Sequence, residues 1–176
     1  KNCDIVVHMA ERNRGDDAEK LYEQNIKSAQ ALMDALDLCH AQPKIVYTSS
    51  THMYDDNLYG KWRRENIKAL KKFTDDFVYC MIPNVFGPFC KPNYNSFIAT
   101  FCDKVLKGEE VSVDNNYVNL CYVENVCKQI HESFNLDSNI DNCYEVYPDG
   151  LYGVKYVYDC LCRFREDYLE NNKIPK

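Results

Sequence analysis

Hydrophobic and polar residues follow one another in blocks that predict strands and helices in turn. Short apolar runs typical of buried parallel strands occupy Asp4 to Met9, Lys44 to Ser49 and Phe77 to Ile82. Between them, apolar residues recur at helical spacing from Asp17 to Leu38 and from Tyr59 to Phe73. This alternation predicts an α/β fold in which helices cover both faces of a parallel sheet.

The second half of the chain has shorter elements. It begins with an irregular loop at Pro83 to Asn93, which contains proline and glycine. The remaining predicted elements are a helix at Tyr94 to Lys107, an extended piece at Val111 to Val113, a strand at Asn119 to Val123, a helix at Glu124 to Phe134, a strand at Asn142 to Val146, a turn at Pro148 to Gly150 and a helix at Val154 to Tyr168.

Composition narrows the functional classes. The chain has 176 residues, 45% of them hydrophobic and 27% charged, which fits one folded domain. A net charge of -6 argues against nucleic acid as a partner. We expect no membrane span, because each apolar run is far shorter than the roughly 20 residues that a bilayer needs.

Ten cysteines raise the question of a metal site or a disulfide framework. They include no CxxC pair, and the four histidines are scattered, so we expect no metal and reduced thiols in a cytoplasmic protein. His8, inside the first predicted strand, is interpreted as a histidine whose hydrogen bonds are satisfied.

Polar side chains that could take part in catalysis or binding lie where predicted strands end. They are Ser49 to Thr51, then Tyr59 with Arg63, then the loop Pro83 to Pro88. In parallel sheets, ligands bind at the carboxyl ends of the strands. These groups therefore mark a candidate site.

Tyrosine becomes a useful acid or base when a cation lies close to its hydroxyl. Residues four apart share one helix face, and among the 14 tyrosines only Tyr59 has Lys or Arg four positions later. Tyr59, Arg63 and a serine hydroxyl together predict proton transfer during the interconversion of a carbonyl and an alcohol.

Several segments together resemble the extended short-chain dehydrogenase/reductases. They are Asp4 to Ala10, Asn25, Ser49 to Thr51, Tyr59 to Arg63 and Pro83 to Pro88. That family contains NAD-dependent epimerases, dehydratases and reductases of nucleotide sugars. The resemblance implies a Rossmann-like sheet, a UDP-sugar substrate and NAD or NADP as cofactor, and it is compatible with a homodimer.

Within the family, three stretches are similar to the UDP-2-acetamido-2,6-dideoxy-hexulose 4-reductases of capsular polysaccharide biosynthesis. They are His8 to Arg14, Asp56 to Gly60 and Asn84 to Cys102. This similarity implies reduction of a UDP-4-keto-6-deoxy-hexose at C4. Epimerase or dehydratase chemistry remains an alternative, although dehydration is disfavoured because Thr51 and His52 stand where acidic residues are usual.

The resemblance also implies roles for individual residues. Ser50 would bind the sugar C4 oxygen, Tyr59 would exchange its proton, and Arg63 stands where the family has a lysine that orients the nicotinamide ribose. The other implied roles are support of the proton relay by Asn25, cofactor contacts of Met9, Ala10 and Pro83, and substrate contacts of Thr51, Asn84, Lys91 and Arg14. Residues 1–176 would be the C-terminal part of the Rossmann-like domain, with a substrate-binding segment at about 84–176.

The chain departs from the family pattern in two ways. It has no GxxGxxG turn, since its glycines lie at positions 15, 60, 87, 108, 150 and 153. We therefore expect a truncated chain that lacks the N-terminal βαβ units, with an exposed sheet edge that promotes self-association. Arg63 keeps the charge of the family lysine but is planar, so we expect weaker catalysis. A non-catalytic protein that binds nucleotide sugars is a further alternative.

Overall fold

A computed structural model of the chain describes residues 3–137 and 142–174. The chain divides into two compact units. The first comprises Lys1–Pro83 and Val126–Tyr147, and the second comprises Asn84–Asn125 and Pro148–Lys176.

The structure contains strands and helices that are interspersed along the chain. The strands are β1 (Ile5–His8), β2 (Lys44–Ser50), β3 (Phe77–Ile82), β4 (Asn84–Phe86), β5 (Tyr117–Tyr122), β6 (Cys143–Glu145) and β7 (Gly150–Gly153). The helices are α1 (Ala18–Leu38), α2 (Leu58–Phe73), α3 (Phe97–Lys107), α4 (Val123–Glu132) and α5 (Val154–Arg165). Short 3₁₀ turns occupy Thr51–Tyr54 and Ser133–Asn135.

The first unit contains a parallel sheet with strand order β1-β2-β3-β6. Its elements confirm the alternation of apolar strands and amphipathic helices expected from the sequence. Each long helix begins at a polar cap: Asp17 accepts a hydrogen bond from the Lys20 amide at 3.0 Å, and Asn57 accepts one from the Gly60 amide at 2.9 Å.

Side chains on β2 and β3 alternate between two layers, as the pleat requires. Ile45, Tyr47 and Phe77 pack into a core cluster with apolar residues of α1 and α2. Cys80 lies on the opposite side of the pleat from Phe77, and its thiol contacts the Ser133 hydroxyl at 3.5 Å. Helices α1 and α2 therefore cover one face, and the turn after α4 covers the other, which confirms the predicted α/β architecture.

The second unit contains a three-stranded sheet with order β4-β5-β7. Strands β4 and β5 run parallel, and β5 and β7 run antiparallel. Helices α3 and α5 pack against each other, and Phe101 meets Tyr158 edge-on with ring centroids 5.9 Å apart. The sequence did not predict this sheet, because β4 has three residues and β7 begins and ends with glycine.

Other boundaries in this half also differ from the expectations. Helix α3 begins at Phe97 rather than Tyr94, because the Ser96 hydroxyl accepts a hydrogen bond from the Ala99 amide at 3.3 Å. Val111 to Val113 pairs with no strand in the part of the chain that the structure describes. The last α-helix ends at Arg165, where a π-helical turn at Glu166–Glu170 takes over.

None of the helices in the described residues has both the length and the apolar character that crossing a bilayer requires. No disulfide joins any of the ten cysteines within that part of the chain.

His8 occupies the carboxyl end of β1 and is 7% exposed. Its ring stacks on Tyr47, the residue beside it in the β1–β2 register, with centroids 5.8 Å apart. The expectation of a satisfied histidine is wrong, because Nε2 is buried without a hydrogen-bond partner among the described residues. Stacking on an aromatic ring positions the imidazole but offers Nε2 no acceptor or donor.

Burial lowers the pKa of His8 below its ordinary value of 6.5. The unfolded chain therefore binds a proton at His8 at a higher pH than the folded chain does. We predict that the free energy of unfolding decreases as the pH falls from about 6.5 through the lowered pKa. Urea denaturation of the wild type and of His8→Gln over this range measures the effect, and the variant should lose less stability. Parallel curves for the two proteins would contradict the prediction.

Candidate active site

Ser50 lies at the carboxyl end of β2, where the strand passes into the 3₁₀ turn. Its hydroxyl oxygen accepts a hydrogen bond from the His52 amide at 3.2 Å, and the hydroxyl proton remains available to donate. The preceding Ser49 is buried, and its hydroxyl contacts the Met53 sulfur at 3.8 Å. Ser50 is therefore the half-exposed serine of this pair, as the proposed contact with a ligand requires.

The start of α2 sits directly on the 3₁₀ turn. A Cβ atom added at Gly60 would lie 2.3 Å from the Asp55 carbonyl oxygen and 3.0 Å from that of Met53. Only glycine permits this approach of helix and turn. The contact holds the neighbouring Tyr59 beside the carboxyl end of β2.

Tyr59 and Arg63 meet on one face of α2, as their four-residue spacing predicted. Nη2 of Arg63 donates a hydrogen bond to the Tyr59 hydroxyl at 2.8 Å, and the guanidinium carbon lies 4.4 Å from the ring centroid. Trp62 approaches the same ring edge-on at 4.9 Å. Lys61, by contrast, has its Nζ 5.0 Å from the centroid of the Tyr22 ring on α1. The Tyr59 oxygen thus accepts from Arg63 and can still donate its own proton.

Arg63 is also held from other directions. Nη2 forms an ion pair with Glu11 at 2.8 Å, and the two side chains are 6% and 5% exposed, respectively. Nη2 lies 3.4 Å from the Asn13 amide oxygen, and Nη1 donates to the Thr48 carbonyl at 3.2 Å. Buried charges need such partners, because an unpaired guanidinium away from water is strongly unfavourable.

Glu11 connects this ion pair to the sheet. The Tyr47 hydroxyl donates a hydrogen bond to the Glu11 carboxylate. Burial raises the pKa of Glu11, whereas the charge of Arg63 and the Tyr47 hydrogen bond act in the opposite direction. Burial and the adjacent Glu11 also raise the pKa of Tyr47, which favours the neutral phenol that donates this bond.

Asn25 of α1 clamps the loop that carries Glu11. Its amide oxygen accepts from the Arg12 backbone N–H, and its amide nitrogen donates to the Arg12 carbonyl, both at 2.8 Å. Asn25 itself is 1% exposed, and its carbonyl accepts a hydrogen bond from Asn66 at 3.2 Å. The side chain therefore shapes the loop after β1, and its suggested part in a proton relay stays a prediction.

The remaining predicted site residues are more exposed or lie elsewhere in the chain. Met9, Ala10 and Arg14 are exposed after β1, and Ala10 accepts a hydrogen bond from Ser28 at 2.7 Å. Thr51 is exposed at the start of the 3₁₀ turn.

Pro83 is buried at the end of the first unit. Asn84 and Lys91 belong to the second unit, where Asn84 opens β4 and Lys91 is exposed, with Nζ 6.0 Å from the Tyr94 ring centroid.

Sequence reasoning assigned no role to Glu11, Asn13, Tyr47 or Thr48, although all four belong to the Arg63 surroundings. A signal for Glu11 was present, because it is an acidic residue a few positions after an apolar strand. Glu11 also lies at the carboxyl edge of the sheet, where the sequence placed Arg63.

Some of these residues fit a nicotinamide cofactor and one does not. Met9, 64% exposed, and Ala10 leave the carboxyl end of β1 open to a ligand. Tyr59 is half-buried, and its hydroxyl retains a proton to donate. Arg63 does not fit the expected contact with a ribose, because it is 5% exposed and both of its Nη atoms contact protein groups.

Comparisons with known proteins give a consistent relationship. No family model matches the chain. A UDP-2-acetamido-2,6-β-L-arabino-hexul-4-ose reductase of Pseudomonas aeruginosa is 28% identical over 173 residues, which are 94% of this chain and 46% of that enzyme. The capsular polysaccharide assembling protein CapF of Staphylococcus aureus is 27% identical, with a TM-score of 0.75 over 96% of this chain and 47% of CapF.

These similarities agree with the resemblance of the chain to the extended short-chain dehydrogenase/reductases. The chain spans about half the length of both relatives. The fold is shared more widely: Bordetella bronchiseptica WbmG, solved in complex with NAD and UDP, is 17% identical, with a TM-score of 0.70 over 94% of this chain and 56% of WbmG.

Asn25 holds the backbone of the loop after β1, so the protein should depend on this side chain for its stability. We predict that Asn25→Ala lowers the free energy of unfolding by about 1–3 kcal/mol, because it leaves polar groups of the Arg12 backbone without partners. Gln24→Ala, which removes a partner of the exposed Arg12 side chain, should change stability by less than about 0.5 kcal/mol. Denaturation by urea measures both values, and equal effects would contradict the assignment.

Proposed function

We propose that the chain is part of an NAD(P)-dependent nucleotide-sugar oxidoreductase that reduces a UDP-4-keto-6-deoxy-hexose at C4. The observation that carries the proposal is the Tyr59 hydroxyl, which accepts a hydrogen bond from Arg63 at 2.8 Å and keeps its own proton. Similarity to the P. aeruginosa reductase supports the choice of reaction.

The proton chemistry rests on two side chains. Ser50 would donate a hydrogen bond to the C4 oxygen of the sugar and hold the carbonyl in place. Tyr59 would then transfer its hydroxyl proton to that oxygen as negative charge develops on it, which is general acid catalysis. The resulting tyrosinate, stabilised by the Arg63 hydrogen bond, would regain a proton from solvent.

When bound, the nicotinamide cofactor supplies the hydride that adds to C4. Met9 and Ala10 after β1, Pro83 after β3 and the Tyr59 hydroxyl are the groups of this chain that would border it. Asn84, Lys91, Thr51 and Arg14 are proposed to contact the substrate, with the segment 84–176 contributing most of its site. We propose that the protein acts in polysaccharide biosynthesis in the cytoplasm.

One observation favours a second candidate function, a protein that binds nucleotide sugars without turnover. Arg63 is engaged by Glu11 inside the protein instead of being directed at a ligand. Calorimetric titration of the natural full-length protein with UDP, NADH and NADPH separates the two functions. UDP binding together with binding of neither nicotinamide would favour this second function over the reductase.

The reductase proposal predicts the effect of removing one oxygen atom. Tyr59→Phe should lower kcat for reduction of a UDP-4-keto-6-deoxy-hexose by roughly 10²–10⁴-fold, because the proton donor is lost while the aromatic packing stays. The assay follows oxidation of NADH or NADPH at 340 nm, with the chain alone and within its natural full-length protein.

Tyr54→Phe is the matched control, because Tyr54 lies in the adjacent 3₁₀ turn and is 67% exposed. It should retain the wild-type rate. Wild-type full-length protein that consumes no cofactor with this substrate would overturn the reductase proposal. Interconversion of UDP-sugars by it without net cofactor consumption would indicate an epimerase.

A further inference from the structure

Glu11 is buried in the loop after β1, although a carboxylate at a loop position would ordinarily be exposed to water. Its side chain is 5% exposed, the Tyr47 hydroxyl contacts one carboxylate oxygen, and Arg63 Nη2 lies 2.8 Å from the other. Tyr47 is fixed in turn by the register of β2 against β1 and by complete burial. The carboxylate is therefore held at a defined position relative to the sheet.

Arg63 contacts both Glu11 and Tyr59, so the position of the carboxylate affects that of the Tyr59 hydroxyl. The same nitrogen, Nη2, that pairs with Glu11 also donates to the Tyr59 hydroxyl at 2.8 Å. The guanidinium carbon lies 4.4 Å from the centre of the Tyr59 ring. A shift of the guanidinium would thus move the hydrogen-bond donor and the packing surface of Tyr59 together.

The ion pair also sets the charge beside the phenol. A lone arginine would place an uncompensated positive charge next to the Tyr59 oxygen, whereas Glu11 balances it at close range. A neutral pair with one N–H directed at the hydroxyl oxygen leaves the hydroxyl proton pointing away from Arg63. That orientation suits donation of the proton to a substrate oxygen.

We propose that Glu11 is a positioning residue that fixes Arg63 and, through it, the hydroxyl of Tyr59. This inference rests on the proposed function of Tyr59 as a proton donor, but the geometric part holds independently of any activity. It also assigns Arg63 to the support of Tyr59 rather than to a cofactor ribose, since its donors face the protein interior.

The test uses Glu11→Gln, which keeps the shape and hydrogen-bonding capacity of the side chain and removes its charge. The chain is labelled with ¹³C at the ζ carbon of its 14 tyrosines. The resonance of Tyr59 is assigned as the one absent from Tyr59→Phe. Glu11→Gln should shift this resonance, because the hydrogen bond and the nearby charge both change.

Glu65→Gln is the matched control. Glu65 lies on the same helix and accepts a hydrogen bond from the Tyr22 hydroxyl, so the variant removes a comparable carboxylate contact elsewhere. It should leave the Tyr59 resonance in place. A Glu11→Gln protein that loses thermal stability while its Tyr59 resonance stays unmoved would overturn the proposal, since Glu11 would then be structural only.

Arg63→Lys covers the case in which Glu11→Gln does not fold. Lysine retains the charge opposite Glu11 but cannot offer a planar group to the Tyr59 ring. The Tyr59 resonance should therefore shift in a folded protein, and an unchanged resonance would refute the link from Arg63 to Tyr59.

A kinetic measurement separates this proposal from the reductase proposal. In the assay described above, Glu11→Gln should lower kcat by roughly 100-fold through misplacement of Tyr59, with little change in KM for the UDP-sugar. An unchanged kcat beside a shifted resonance would overturn the catalytic part of the inference. Absence of wild-type turnover would sink the reductase proposal alone, because the resonance measurements need no activity.

Discussion

Arg63 carries a full positive charge into a region that water hardly reaches, and the surrounding structure is organised to satisfy it. Glu11 supplies the opposite charge, the Thr48 carbonyl accepts a second hydrogen bond, and the Tyr59 hydroxyl a third. Those groups come from the loop after β1, from β2 and from α2. Because removing one partner of a buried ion pair strands the other charge, the pair constrains all three segments at once.

The loop after β1 shows how such a constraint is maintained. Asn25 closes two hydrogen bonds on the backbone of Arg12, the residue next to Glu11. Tyr47 holds the Glu11 carboxylate from the adjacent strand. Asn25 and Tyr47 therefore fix the loop after β1 from two sides. Their buried hydrogen bonds offset the conformational entropy that the loop loses on folding.

The chain has the tyrosine and serine that its resemblance to the short-chain dehydrogenase/reductases implies, but it has a different cation beside the tyrosine. The resemblance implies a lysine directed at the cofactor, whereas Arg63 points inward and pairs with Glu11. The substitution and the buried carboxylate are thus physically linked: a planar, permanently charged group in this position needs a counter-charge, and Glu11 provides it. Arg63 therefore differs from the implied lysine together with Glu11, whose charge compensates that of the guanidinium.

Local patterns in the sequence determined the elements of the first unit. The predicted spans of α1, α2, β2 and β3 agree with the structure to within a residue, because apolar periodicity and helix caps depend on near neighbours in the chain. The meeting of Tyr59 and Arg63 followed from helical geometry for the same reason. Only the tertiary structure decided the partner of Arg63, the unsatisfied Nε2 of His8 and the sheet of β4, β5 and β7. Each depends on segments that are distant along the chain, where residue spacing carries no information about contact.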